Sequence, residues 1–357
     1  MMNYKEKLNE LLLMTVRQNA SDLHIGVGRR PSIRVDSVLI PIEKETVLTK
    51  EDAEGLVLAL LTEEQKERFL KLKQLDFSYN YEDKARFRVN VFIQRGYMAV
   101  ALRVIFSQIK TIDELNLPPI THDFAKIKQG FVLVVGPAGH GKSTTLAAIV
   151  DEINHTKTDH IITVEDPIEY LFSQDRCIVS QREVGQDTLS FHDALRAILR
   201  QDPGVIMVGE MRDSETIATA MTAAETGHLV FSTLHTNSAS QTIDRIIDSF
   251  PPEQQGQVTS QLASTLVAIV SQRLIPRLGG GRIPAAEIML TNPAIKNLIR
   301  ERKIYQIDLV IETSMQEGMM SLNRSLVNLV KKHEISLEEA ESHSLNPSEL
   351  RLLLERS

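Results

Sequence analysis

Residues 136–143 read Gly-Pro-Ala-Gly-His-Gly-Lys-Ser and satisfy the G-x-x-x-x-G-K-S pattern without departure. An apolar run, Phe-Val-Leu-Val-Val at 131–135, leads in, and a helix-forming stretch from Lys142 to about Glu152 leads out. Strand, glycine loop and helix in that order admit few folds. The glycines let the backbone curl until its N–H groups face one point, and the helix N-terminus adds positive potential there. Phosphate is the group that such a point binds. The pattern implies a nucleoside triphosphate, with Lys142 reaching the β- and γ-phosphates and the Ser143 hydroxyl meeting Mg2+.

Short apolar runs recur downstream at 161–164, 205–208 and 229–231, separated by helical stretches. Runs without alternation are strands covered on both faces, so a mostly parallel sheet of βαβ units is expected. Ligands of such sheets sit beyond the carboxyl ends of the strands. Glu165 and Glu210 close two of the runs and are expected beside the phosphate loop. One carboxylate can hold Mg2+ through water, and another can orient an attacking water. Asp213, followed by Ser-Glu-Thr, is expected to cap the next helix instead. His228 and His235 bracket the third run, with His235 at its carboxyl end. The pattern leaves their role open, and their spacing fits no common zinc set.

The first hundred residues have a different texture. Leu8, Leu11, Leu12, Thr15 and Val16 follow helical spacing, and Ile33 and Val35 alternate in a β-rich stretch. Residues 51–73 look helical, with Leu56, Leu60 and Leu61 on one side. Over 85–106, Phe87, Val89, Val91 and Ile93 alternate toward Arg95-Gly96, and Met98, Val100, Leu102 and Val104 alternate after it. A hairpin with one apolar face follows. A turn centred on Arg95-Gly96 sets Arg103 opposite Arg88, and like charges so opposed destabilise a strand pair unless an acid or a bound anion offsets them. Residues 1–108 are read as one domain and 109–119, which hold Leu-Pro-Pro, as a linker. Residues 120–357 form the second domain, expected to be helical from about residue 282, after Gly279-Gly280-Gly281.

Composition narrows the function classes. The 357 residues are 42% hydrophobic and 24% charged, which suits two globular domains and excludes a fibrous or disordered chain. A net charge of −7 argues against a duplex-DNA binder with a broad basic surface. Cys177 is the one cysteine, so a disulfide framework and a four-cysteine zinc site are excluded. No apolar run approaches the ~18 residues of a membrane span, and the polar start lacks a signal-peptide core. A soluble protein of a reducing cytosol is expected.

The segments GPAGHGKSTT, ITVEDPIEY, LRQDPGVIMVGEMRDSETI and TAAETGHLVFSTLHTNSA together resemble the Walker A, Asp box, Walker B and His box of the secretion-superfamily ATPases. That family, the GspE/PilT type, comprises hexameric P-loop motors of type IV pili and type II secretion. SDLHI at 21–25, DFSY at 76–79 and RFRVNVFIQRG at 86–96 extend the resemblance toward the N-terminus. AIKNLIRE at 294–301 is similar to the helix motif of the pilus-retraction branch, with Lys296 where arginine is usual. Assembly and secretion members commonly carry an extra N-terminal domain and a tetracysteine element, for which this chain has neither the length nor the cysteines.

The resemblance implies a PAS-like α/β N-terminal domain joined to a RecA-like α/β ATPase core with C-terminal helices. It implies ATP hydrolysis with Mg2+ in a homohexamer that powers pilus retraction and twitching motility. The motor would act at the cytoplasmic face of the inner membrane against a platform protein, with a paralogous retraction ATPase as a further partner. It would touch the membrane only through partners and bind no nucleic acid. By the same resemblance, ATP-phosphate contacts fall to Gly136, Pro137, Ala138, Gly139, His140, Gly141, Lys142, Ser143 and Thr144. Glu165 and Glu210 are the acidic catalytic pair, and Ser143 and Glu210 hold Mg2+, partly through water. His228 and His235 are the His-box residues, while Arg88 and Arg103 reach a nucleotide across a subunit boundary. The alternatives are a pilus-assembly or type II secretion ATPase and, from another class, a RecA-like nucleic-acid translocase.

Overall fold

A computed structural model of the chain describes residues 3–35, 38–82, 85–105 and 109–355. Contacts divide it into two units, Met1–Gln108 with Pro167–Leu171, and Ile109–Asp166 with Phe172–Ser357.

In the first unit, α1 (Tyr4–Arg17) buries Leu8, Leu11, Leu12 and Thr15, the stripe that its spacing predicts. An antiparallel sheet is built from β1 (Asp22–Gly26), β2 (Ser32–Val35), β3 (Val38–Pro41), β4 (Gln74–Tyr81), β5 (Ala85–Gln94) and β6 (Tyr97–Ile105), in the order β3-β2-β1-β6-β5-β4. The helical stretch over 51–73 forms in two pieces. The chain makes α2 (Lys50–Leu58) and α3 (Glu63–Leu72). At the break, the Thr62 hydroxyl accepts the Gln65 N–H while the Gln65 side chain accepts the Thr62 N–H, a capping box that starts a new helix. The hairpin β5–β6 keeps the expected register, with Arg88 opposite Arg103, Val89 opposite Leu102 and Val91 opposite Val100. Arg95 and Gly96 have φ of 52° and 82°, as a type I′ turn requires. Phe106, where the hairpin was expected to end, lies outside the described residues. Phe69, Phe87, Val89, Val91 and Leu102 join the leucines of α1 in one core.

The second unit opens with residues 109–119, of which Ile112 and Leu117 are buried, and α4 (Thr121–Lys126). Its sheet contains β7 (Gly130–Val135), β8 (His160–Glu165), β9 (Ile178–Glu183), β10 (Val205–Val208), β11 (Leu229–Leu234), β12 (Leu266–Pro276) and β13 (Arg282–Leu290), in the order β13-β12-β7-β11-β10-β8-β9. All neighbours are parallel except β12 and β13. The helices α5 (Lys142–Thr156), α6 (Phe191–Ile198), α7 (Ser214–Glu225), α8 (Ala239–Asp248) and α9 (Pro252–Thr265) alternate with the strands. The apolar runs are buried along nearly their whole length, which explains why they do not alternate.

The helical expectation from residue 282 fails at its start, since 282–290 is β13. Gly280 and Gly281, at φ of 87° and 75°, reverse the chain, and the Arg277 N–H donates to the Gly281 carbonyl. The returning residues then pair along β12. Helices follow only from α10 (Pro293–Arg300) through α11 (Ile307–Thr313), α12 (Leu322–Lys331), α13 (Leu337–His343) and α14 (Pro347–Glu355). Leu322, Leu326, Ile335 and Leu350 from this end form a small core with Ile275 and Ile283 of the hairpin.

Candidate active site

The phosphate loop leaves a fully buried strand at a position only glycine can hold. Gly136 has φ of 145°, and a Cβ there would lie 2.3 Å from the Gln272 carbonyl oxygen of β12. Gly139 and Gly141 are also left-handed, at 78° and 81°. Gly141 occupies the N-cap position of α5 and has no side chain to accept a hydrogen bond, so the first-turn N–H groups of α5 lack a side-chain cap. Those N–H groups are the ones an anion would take. Ser143 and Thr144 are half-buried in that first turn. Lys142 is buried, and its Nζ donates to the Gly136 and Pro137 carbonyls at 2.9 Å each.

Strand order decides what meets the lysine. Because β11 lies between β7 and β10, the residue after β11 sits between the residues that follow the other two. His235 Nδ1 is 3.3 Å from Lys142 Nζ, and His235 Nε2 is 3.5 Å from Glu210 Oε2. Glu210 also pairs with Arg212. Burial alone would raise the Glu210 carboxyl, but Arg212 and His235 outweigh it and hold it below the usual carboxylate range. Glu165 is buried at the end of β8, accepting hydrogen bonds from Thr163 Oγ1 at 2.7 Å and Gln181 Nε2 at 3.3 Å. Asp213 caps α7 as expected, accepting the Thr216 N–H at 2.7 Å.

His228 is not brought to this cluster. It precedes β11 at the opposite end of that strand from His235, across six residues or about 20 Å. Its Nδ1 lies 2.9 Å from the Ala223 carbonyl, closing the turn after α7.

Several residues behind the loop escape local pattern reading. Gln272 Oε1 accepts from Thr145 Oγ1 at 2.7 Å, and Gln272 Nε2 donates to the His140 carbonyl at 2.8 Å. His140 Nδ1 accepts the Leu274 N–H at 2.9 Å. Burial first, then Arg273, His343, Lys142 and Arg282, hold the imidazole below its ordinary pKa, which keeps that nitrogen free to accept. The one visible signal was Ser-Gln-Arg at 271–273, a polar interruption of an apolar strand.

Arg88 and Arg103 belong to the first unit. One row across its sheet runs Arg34, Asp22, Arg103, Arg88. Asp22 Oδ1 accepts from Arg103 Nε at 2.9 Å, and Asp22 Oδ2 lies 3.6 Å from Arg34 Nε. An acid thus offsets Arg103, whereas Arg88 has no ion pair among the described residues. Both arginines line a pocket with Ile168, Glu169 and Tyr170, from the segment that groups with this unit.

The sequence profile of the family described as "Type II/IV secretion system protein" matches residues 3–289. The chain is 46% identical over 340 residues to the "Type IV pilus retractation ATPase PilT" of Pseudomonas aeruginosa, covering 95% of this chain and 98% of that one. It is 44% identical over 300 residues to a "Twitching motility protein" of Neisseria gonorrhoeae, covering 84% of this chain and 80% of that protein. The crystal structure of the pilus retraction motor PilT with bound ADP matches with a TM-score of 0.90 at 45% identity, covering 98% of this chain and 99% of that one.

Proposed function

The chain belongs to the type II/IV secretion system protein family, and from that premise we propose that it is the ATP-hydrolysing motor of type IV pilus retraction, the process behind twitching motility. The observation that carries this is a likeness to a retraction ATPase of 46% over 95% of the chain. The convergence of Lys142, His235 and Glu210 at adjacent strand ends supplies the chemistry it requires.

The backbone N–H groups of 138–144, at the loop and the start of α5, bind the phosphates, and Lys142 exchanges its loop carbonyls for phosphate oxygens. Glu165, held by Thr163 and Gln181, orients the attacking water. His235 stands between Lys142 and Glu210 and senses whether the γ-phosphate is present. Mg2+ fits the hard oxygen donors here, the Ser143 hydroxyl and the ionised Glu210 carboxylate, and would neutralise charge on the phosphates. His228 takes no step in its own subunit's site. Arg88 and Arg103 are assigned to ATP on a neighbouring subunit of a homohexamer, with Arg88 the freer of the two.

No helix of the described residues is long and apolar enough to cross a membrane. From its likeness to a pilus retraction ATPase, the motor is assigned to the cytoplasmic face of the inner membrane, held there by a pilus platform protein, with a paralogous retraction ATPase as a further partner. Deleting its gene and imaging the cells tests the proposal. Excess surface pili with loss of twitching are expected. Loss of pili would assign the chain to assembly instead, and ATPase stimulation by single-stranded DNA would assign it to translocation.

A further inference from the structure

Behind the phosphate site, β13 carries a single carboxylate, Glu287, through an otherwise apolar buried run. Glu287 Oε1 accepts the N–H of Ala239, the first residue of α8, at 2.6 Å. Capping does not require this, because Ser238 already caps α8 through the Gln241 N–H. Glu287 adds a tie between α8 and the β12–β13 hairpin. Its strand partner Ser271 adds another, donating Oγ to the Asn237 carbonyl at 2.9 Å. Thr236 and Thr242 close the segment with a hydroxyl pair at 2.7 Å. Four residues join β11 to α8; Thr236, Asn237 and Ser238 are thus each held, and the first of the four is His235.

We infer that Glu287 is a positioning residue for ATP hydrolysis, fixing the start of α8 and, through Thr236–Asn237–Ser238, the place of His235 between Lys142 and Glu210. The inference rests on the ATPase activity of the chain, which the unmodified protein tests by itself. A purely structural role explains the carboxylate poorly, because a buried acid without a cationic partner in hydrogen-bond contact is generally less stable than an apolar side chain of its size.

The ionised form is the stronger acceptor at the positive end of a helix. Burial pushes the Glu287 carboxyl up to about 7, against the pull of the Ala239 N–H. Asp308 and Glu312 on α11 push it up further, and Arg273 on β12 pulls it down. The tie should therefore tighten across neutral pH.

The test measures kcat and the KM for ATP on the full chain from about pH 5.5 to about pH 8.5. Glu287→Gln keeps an acceptor but stays neutral. Its kcat should fall about three- to tenfold at about pH 8, with KM changed less than about twofold, and the limb near neutral pH should vanish. Ser271→Ala loosens the same segment without removing the titrating group, so kcat should fall about two- to fivefold with the limb kept. Should the Gln variant not fold, the kcat of Ser271→Ala decides. Unchanged kcat in Ser271→Ala, an unchanged limb in Glu287→Gln, or lower thermal stability with normal turnover per folded molecule would each overturn the inference.

Discussion

Lys142 and Glu210 flank the same histidine, yet losing each should read out differently. With Lys142 proposed as the main cation at the phosphates, Lys142→Ala should leave a folded protein with no measurable hydrolysis. Near-normal turnover would remove the loop from the mechanism. Glu210→Gln keeps the shape but loses the charge paired with Arg212. Turnover should fall on the order of 10²–10³-fold while nucleotide affinity changes only a few-fold. Collapse of affinity with normal turnover per bound ATP would refute its assignment. Glu210 lies below the usual carboxylate range, so it stays ionised through neutral pH and cannot produce a limb there. Glu287 has the opposite sign. Its pKa of about 7 in the fold exceeds the ordinary 4.5, so the native state holds the proton more tightly. The stability this gives is fully present below about pH 4.5 and is lost as pH rises toward 7. Glu287→Gln should abolish that slope, leaving the variant more stable than the unmodified chain by about 3 kcal/mol at pH 8 relative to their difference at pH 4. Denaturant midpoints at the two pH values measure it, and parallel pH dependence in both proteins would refute it.

At the scale of elements, α10 separates packing from output. Asn292 accepts the Ile295 N–H and Pro293 starts the helix, which turns Ile295 and Ile299 fully into the core. Lys296 is half-buried, and Arg300, one turn on, is exposed. Reversing both to Glu should leave ATPase activity within about twofold, because surface substitutions rarely disturb a fold, while twitching is lost. Equal loss of both would mark a folding defect. The β5–β6 hairpin shows how far pattern reasoning reaches. A type I′ turn at Arg95-Gly96 dictates the register, so the opposition of Arg88 and Arg103 was legible. That Asp22 shares the row with Arg103 was not, because β1 reaches β6 from 81 residues away.

On the scale of the whole molecule, the site is expected to be completed by a neighbour. Arg88→Ala/Arg103→Ala subunits retain an intact loop, and Lys142→Ala subunits retain intact arginines. Each alone should be inactive, and mixing them should restore part of the ATPase activity, since some interfaces pair loop with arginines. Verified mixed hexamers with no recovery would count against action in trans.

The phosphate loop could be read from the chain alone because its chemistry is contiguous: strand, three glycines, lysine and helix start are neighbours in sequence, and backbone sterics fix their geometry. The acids and His235 were legible for a related reason, since strand ends follow directly from apolar runs. His228 was grouped with His235 because both bracket one strand and fall in the segment that resembles the His box, and strand length separates them. The helix break at Thr62 was decided by two local hydrogen bonds that helical spacing does not reveal. The placement of β13 was decided by pairing: Ile-Pro-Ala-Ala-Glu-Ile-Met-Leu is buried on both faces and so shows no clear strand alternation, and it is its register along β12 that makes it a strand. Gln272 and Glu287 depend on the tertiary structure most of all. A polar side chain in a buried strand acquires its meaning from the partner that satisfies it, and their partners, His140 and Ala239, lie 132 and 48 residues away and meet them only when the sheet is closed.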